Sequence, residues 1–285
     1  MMTGIGRRLH IVHRTGYRYA EVVDASFNEV RMTPLTVGGQ LLLNHTLTVH
    51  PGSSVQTYED YWGAHVEAFD VHGPHLVLEI AAISTVDTPP MTRPAPGMSW
   101  ETVLDPDVQD KYSEFLAPTD YVDDALADDH RAGIVDEMAS SPTPWYAGTL
   151  AVAAVRDRLT YSSGVTDVST TSAQAWASRH GVCQDFTHAT LSLLRAARIP
   201  ARYVSGYLHT EEPAPGQTVT GESHAWVEYW DGQWQAVDPT NDRSVGSAHV
   251  IVARGRDYAD VPPLKGIYAG GQSEGLGVSV EITQL

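Results

Sequence analysis

The apolar pattern changes character at a proline-rich stretch, Thr88 to Gly97 (Pro89, Pro90, Pro94, Pro96), and that break does most to limit the folds open to this chain. Ahead of it, residues 7 to about 88 read as strands. Leu9-His10-Ile11-Val12-His13 and Tyr17-Arg18-Tyr19 flank an expected turn at Thr15-Gly16. Leu41 to Val49 and Leu76 to Ile83 are further strand-like runs, punctuated by Gly38-Gly39, Pro51-Gly52 and Gly73-Pro74. Short strands with regular turn signals predict an all-β, sandwich-like domain over residues 1–90.

Past the prolines the spacing becomes helical. Asp123 to Met138 and Trp145 to Leu159 predict two helices, the second through Ala151, Val152, Val155 and Leu159. Ser172 to His180 is a third, capped by Thr171 or Ser172. Gln184 to Ala197 is a fourth, with Phe186, Thr190, Leu193, Leu194 and Ala197 on one face, ended by Ile199-Pro200. Strands return at Ala201 to Leu208, His224 to Trp230 and Gln233 to Val237, and a closing strand follows at Leu276-Val278-Val280-Ile282. Residues 210–221 hold Pro213, Pro215, Gly216 and Gly221 and read as a mobile loop. The expected architecture is α+β: a β-rich domain, then an α+β unit over 91–285.

Composition removes several function classes. A formal charge of −17 opposes sequence-independent nucleic-acid binding, which needs cations against phosphate. The same charge opposes adsorption to anionic membranes. No run reaches the ~18 apolar residues of a membrane span. Arg7 and Arg8 precede no apolar stretch of a signal peptide. One cysteine rules out an intrachain disulfide framework. The expectation is a soluble, acidic, cytoplasmic protein of unassigned oligomeric state.

That cysteine stands in Gly181-Val182-Cys183-Gln184-Asp185-Phe186, at the start of the fourth helix. Unpaired N–H groups and the positive end of the helix dipole favour an anion there, and the thiolate is the nucleophilic form. Gly181 lets the backbone turn and approach a substrate closely. The Cys183 N–H would meet an oxyanion forming on an attacked carbonyl. His224 and Asp238 lie equally far from position 231 in a hairpin signalled by Asp231-Gly232. Cross-strand neighbours sit ~5 Å apart. Asp238 can therefore orient the imidazole while its other nitrogen serves the thiol. Taken singly, a cysteine is a small buried hydrophobe and an aspartate before proline is a turn residue. Their joint placement makes the case.

Other clusters explain less. His65, His72 and His75 lack an ordered metal motif, and His180, Cys183 and His188 converge poorly from one helical stretch. The carboxylates from Asp105 to Glu137 read as a solvated helix face without EF-hand spacing. Gly270-Gly271 reads as a turn. No metal and no cofactor are expected.

Gly181 to Phe186, Ile199-Pro200-Ala201-Arg202-Tyr203-Val204-Ser205-Gly206-Tyr207, His224-Ala225-Trp226-Val227-Glu228 and Asp238-Pro239-Thr240-Asn241 together resemble the transglutaminase-like superfamily of papain-like cysteine enzymes. The match covers a core at about 150–245. Asn28-Glu29-Val30-Arg31-Met32-Thr33-Pro34 and Gly255-Arg256-Asp257-Tyr258-Ala259-Asp260-Val261-Pro262-Pro263 are similar to segments flanking that core in bacterial members. The resemblance implies Cys183 as nucleophile, His224 as base and acid, and Asp238 as orienter. It also implies attack on an amide of a protein or peptide substrate, with the acyl group passed to water or to an amine. Animal members use an upstream tryptophan at the oxyanion; Tyr161 is the candidate for that place here, with Gln184 and Trp226 as further substrate-side candidates. The expected activity is amide cleavage through a thioester. Transamidation is the alternative, and a non-catalytic protein-binding module is a third reading.

Overall fold

Buried and exposed side chains alternate through a single 24-residue strand, β1 (Arg7–Val30), which stays extended at Thr15-Gly16 where the sequence predicts a turn. The computed structural model describes residues 6–90, 97–210, 214–221, 223–269, 272–275 and 277–285. Gly16 is paired with Glu79 of a second 24-residue strand, so long-range hydrogen bonds override the local turn preference. Three strands follow β1: β2 (Leu41–His50), β3 (Val55–Glu59) and β4 (His65–Thr88). Gly73-Pro74 is no break either. It lies within β4, opposite the point where the β1–β4 register slips, and Gly73 takes φ +120° there.

The helical half begins with α1 (Trp100–Val103) and α2 (Pro106–Lys111), then α3 (Asp129–Ala139) and α4 (Pro144–Arg158). A helix starting at Asp123 is not formed. A 3₁₀ turn occupies Ala125–Ala127, and Asp128 caps α3 by accepting from the Arg131 N–H. Asp123 is drawn out of the solvated role by the buried Arg131 guanidinium, whose nitrogens donate at 2.7 and 2.9 Å. Next come β5 (Thr160–Tyr161), α5 (Ser172–Ser178), β6 (His180–Gly181) and α6 (Cys183–Ala196). Thr171 caps α5, its hydroxyl accepting from Gln174.

The remaining strands are β7 (Ala201–Leu208), β8 (Thr218–Gly221), β9 (His224–Trp230), β10 (Trp234–Asp238), β11 (Arg243–Ser244) and β12 (His249–Gly255). They are followed by β13 (Leu264–Tyr268), β14 (Ser273–Gly275) and β15 (Ser279–Gln284). A five-stranded antiparallel sheet runs β11-β10-β9-β7-β12. An eight-stranded sheet runs β2-β4-β1-β15-β8, with β3 on β4 and with β13 and β14 on β1. The N-terminal sheet thus takes four strands from beyond residue 210. Part of the segment expected as a loop at 210–221 is the edge strand β8, paired to β15; residues 211–213 lie outside the described residues, as does the Gly270-Gly271 turn. No helix among the described residues is long and apolar enough to cross a membrane.

Two cores result. Tyr19, Val23, Val30, Met32, Phe69, Val71 and Leu78 close one within the long sheet. Leu9, Ile11, Val86, Val280 and Ile282 from that sheet join the helices and the five-stranded sheet in the other. Helix α6 lies at the centre of the second core, packed by α3, α4, α5, β7 and β9. It is buried on every side from Gln184 to Arg195, wider than the one face its periodicity predicts. Arg195 near its end donates to Ala117 O, Ala201 O and Arg256 O. The head of α6 is therefore held on a rigid rod.

Glu228 locks the five-stranded sheet. It is 5% exposed and accepts from Arg202 of β7 and Arg254 of β12, at 2.8 and 2.9 Å, which hold its carboxyl below the usual range despite burial. Glu228→Ala would leave two mostly buried guanidiniums unpaired. Urea unfolding should show a loss of about 3–5 kcal/mol.

Candidate active site

Cys183 is the first residue of α6 and is partly exposed. The chain enters the helix along β6, whose parallel bridge to β5 sets Tyr161 beside Gly181. Val182 precedes the helix in extended backbone, and its N–H donates to Asp185 Oδ2 at 2.8 Å. Thr166 Oγ1 donates to the same oxygen at 2.8 Å. Gly181 is required for this packing: a Cβ there would lie 2.5 Å from the Asp185 Cβ. Gly181 is buried, so its role is to admit Asp185 behind the nucleophile rather than to admit substrate. The first N–H groups of α6, those of Cys183 and Gln184, have no acceptor within the helix and present a positive end at the thiol.

His224 opens β9. Its Nε2 donates to Asp238 Oδ2 at 2.8 Å, and the Cys183 thiol favours the charged form of the ring. The imidazole and the carboxylate meet, though the hairpin register differs from the expected one. The β9–β10 ladder pairs Trp234 with Trp230 and Val237 with Val227, so the three residues Asp231, Gly232 and Gln233 form the turn. Continued, that register puts Asp238 opposite Trp226, diagonal to His224 on the same face. Gly232 at φ +108° takes the conformation that lengthens the turn.

Asp238 is 1% exposed and fully engaged. Oδ1 accepts from the N–H groups of Thr240 and Asn241 at 3.0 and 3.2 Å. Oδ2 accepts from His224, from Asn241 Nδ2 at 3.0 Å and from His249 Nε2 at 3.3 Å. Burial alone would raise this carboxyl; its donors hold it far below the usual carboxylate range. Burial works against charge on His224 too, but Asp238 and Cys183 together raise its pKa to about 9. That shift favours the charged ring at neutral pH. A raised histidine pKa stabilises the folded state fully below its ordinary value of about 6.5 and ceases to do so above about 9. Urea unfolding between pH 6 and 10 should show the wild type losing stability relative to His224→Gln across that window.

Three substrate-side expectations meet the structure differently. Tyr161 is 54% exposed on the strand beside Gly181. Gln184 is buried and its amide donates to Val168 O at 3.1 Å, holding the 162–170 segment against the head of α6. Trp226 is 0% exposed and lines no channel. Its ring stacks with His224, centroids 6.0 Å apart and planes 29° apart, and meets His249 edge-on at 5.2 Å. Gly206 of β7 makes room for it: a Cβ there would stand 2.0 Å from Val250 O and 2.7 Å from the indole.

Asn241 and His249 were beyond sequence reasoning. Asn241 lies in the quoted Asp-Pro-Thr-Asn block, which was the one available signal; nothing local marks His249. The ligand-capable atoms of His224, Asp238 and His249 lie within 4.8 Å of one another. Both histidines bond to Asp238 Oδ2 through Nε2. His249 Nδ1 accepts from the Gly246 N–H at 3.3 Å, so its proton sits on Nε2 toward Asp238.

Residues 9–87 match the family model for the bacterial transglutaminase-like N-terminal region, and residues 132–239 match that for the transglutaminase-like superfamily. The uncharacterized protein ML0607 of Mycobacterium leprae is 40% identical over 98% of this chain and 99% of its own. A stretch of 67 residues, 22% of this chain and 10% of the other, is 45% identical to a protein-glutamine gamma-glutamyltransferase of Pseudomonas aeruginosa. The crystal structure of a candidate cysteine protease from Cytophaga hutchinsonii shares the fold, with TM-score 0.77 and 22% identity over 98% of this chain and 91% of that one. With the thiol at a helix head, the histidine on the adjoining sheet and both family models matched in order, this chain belongs to the transglutaminase-like superfamily.

Proposed function

We propose that the protein cleaves peptide or side-chain amide bonds through a Cys183 thioester and passes the acyl group to water. One observation carries this: the thiol at the head of α6 shares His224 with a buried, fully hydrogen-bonded Asp238. The Cys183 sulfur attacks the amide carbonyl, and the oxyanion meets the unpaired N–H groups at the helix head. Tyr161, exposed beside Gly181, is the side-chain donor proposed for the same oxyanion. The C–N bond breaks as His224 gives its proton to the leaving amine. Water then attacks the thioester while His224 takes a proton from it; the C–S bond breaks, and that proton passes from His224 to the sulfur, releasing a carboxylic acid and the free thiol. No step calls for a cofactor. The substrate is a protein or peptide, and the proposal includes a cytoplasmic site of action.

Transfer to an amine is the second reading, favoured by the short match to a protein-glutamine gamma-glutamyltransferase. It differs only in which nucleophile opens the thioester. Incubating a glutamine peptide with and without a primary amine separates the two by mass spectrometry. Deamidation that persists when the amine is present supports hydrolysis; incorporation of the amine overturns it. A thiol inert to iodoacetamide at neutral pH would instead favour a non-catalytic module.

A further inference from the structure

We infer that His249 is a positioning residue of this site, holding Asp238 in one orientation from the far strand of the five-stranded sheet. The inference rests on the proposed role of Cys183, His224 and Asp238. In that sheet β12 is separated from β10 by β7 and β9, so the contact is made across the sheet rather than between neighbours. His249 pairs with Leu208 of β7, and its Nε2–H reaches Asp238 Oδ2, the oxygen that also receives His224. The Gly246 N–H occupies Nδ1 and fixes the tautomer as a donor toward Asp238. The ring is 4% exposed and lies edge-to-face with Trp226, whose indole also stacks on His224. One indole therefore registers both imidazoles, and one carboxylate oxygen receives both.

The charged groups facing His249 are Asp238, His224 and Arg243. Burial comes first in keeping the ring neutral, and the two cations add to it against the pull of Asp238. A neutral donor suits the task. It shares the carboxylate with His224 without competing as a second cation, and it keeps Oδ2 from turning away when His224 gives up its proton.

The test compares two substitutions that a merely structural role would not separate. His249→Asn keeps an acceptor for the Gly246 N–H and removes the donor to Asp238. His249→Gln keeps an N–H at the reach of Nε2. Each is read by the rate of Cys183 alkylation by iodoacetamide from pH 5 to 10, beside thermal unfolding. In H249N the limb belonging to His224 should move down from about 9 toward about 6.5, with the rate at neutral pH about tenfold lower. H249Q should recover at least half of both. H249F, which refills the space without a donor, carries the H249N expectation should that variant fail to fold. A donor-free variant with the wild-type profile and rate overturns the inference, whatever its melting temperature. So do H249N and H249Q with equal losses. A wild-type profile lacking the His224 limb overturns the proposed function itself and is thereby told apart.

Discussion

Cys183→Ala should lower turnover of any amide substrate by about 10⁴-fold or more and remove both the acyl adduct and iodoacetamide labelling. The size follows from what is deleted: the bond-forming atom itself, with no second cysteine in the chain to replace it. The fold should survive. Cys183 packs against the core only at its margin and is partly exposed, so truncation to Ala opens no deep cavity. Lost activity with an unchanged melting curve assigns the chemistry to the sulfur. Full turnover in the Ala variant would end the proposed function.

Asp238→Ala should be costly twice over. It leaves His224, His249, Asn241 and the N–H of Thr240 without their shared acceptor at a position only 1% exposed. Stripping a buried carboxylate from a cationic partner and several donors costs about 3–5 kcal/mol, read as a fall in urea midpoint at constant slope. The His224 pKa should drop from about 9 as its counter-charge disappears, and the thiol loses its imidazolium partner at neutral pH. Asp238→Asn separates the two effects. It keeps the volume but turns an amide N–H₂ or a weaker acceptor toward the ring, so more stability survives while turnover falls by about 10⁴-fold. A D238N enzyme with wild-type turnover would show that His224 needs no carboxylate and would remove Asp238 from the mechanism.

Cys183, His224 and Asp238 stood out as candidates because each carries a local signature. Gly-Val-Cys-Gln-Asp marks a helix head, and Asp231-Gly232 marks a hairpin that folds its flanks together. Even so, the turn took three residues, and the slip moved Asp238 from directly across to diagonal. Length of turn depends on what the loop packs against, and Met98 lies where a Gly232 side chain would be. What Gly181 packs against was not legible for a related reason: that its missing side chain leaves room for the Asp185 carboxylate depends on what lies behind it. Trp226 could on sequence alone pack the hairpin or wall a substrate channel, and its burial decides for packing, since one face of a strand looks the same on paper whether it meets solvent or other side chains.

By itself the sequence determined the change from strand to helix past the prolines, the spans of α4, α5 and α6 to within a residue or two, and the three candidate residues Cys183, His224 and Asp238. These rest on periodicity, capping and turn propensity, which act over a few neighbouring residues. Tertiary structure alone decided that Thr15-Gly16 and Gly73-Pro74 stay extended, that β8 and β13 to β15 return to the first sheet, and that His249 reaches Asp238 past two intervening strands. Pairing between residues far apart in the chain is set by which surfaces can be buried together, and local preference yields wherever a complete ladder of hydrogen bonds outweighs it.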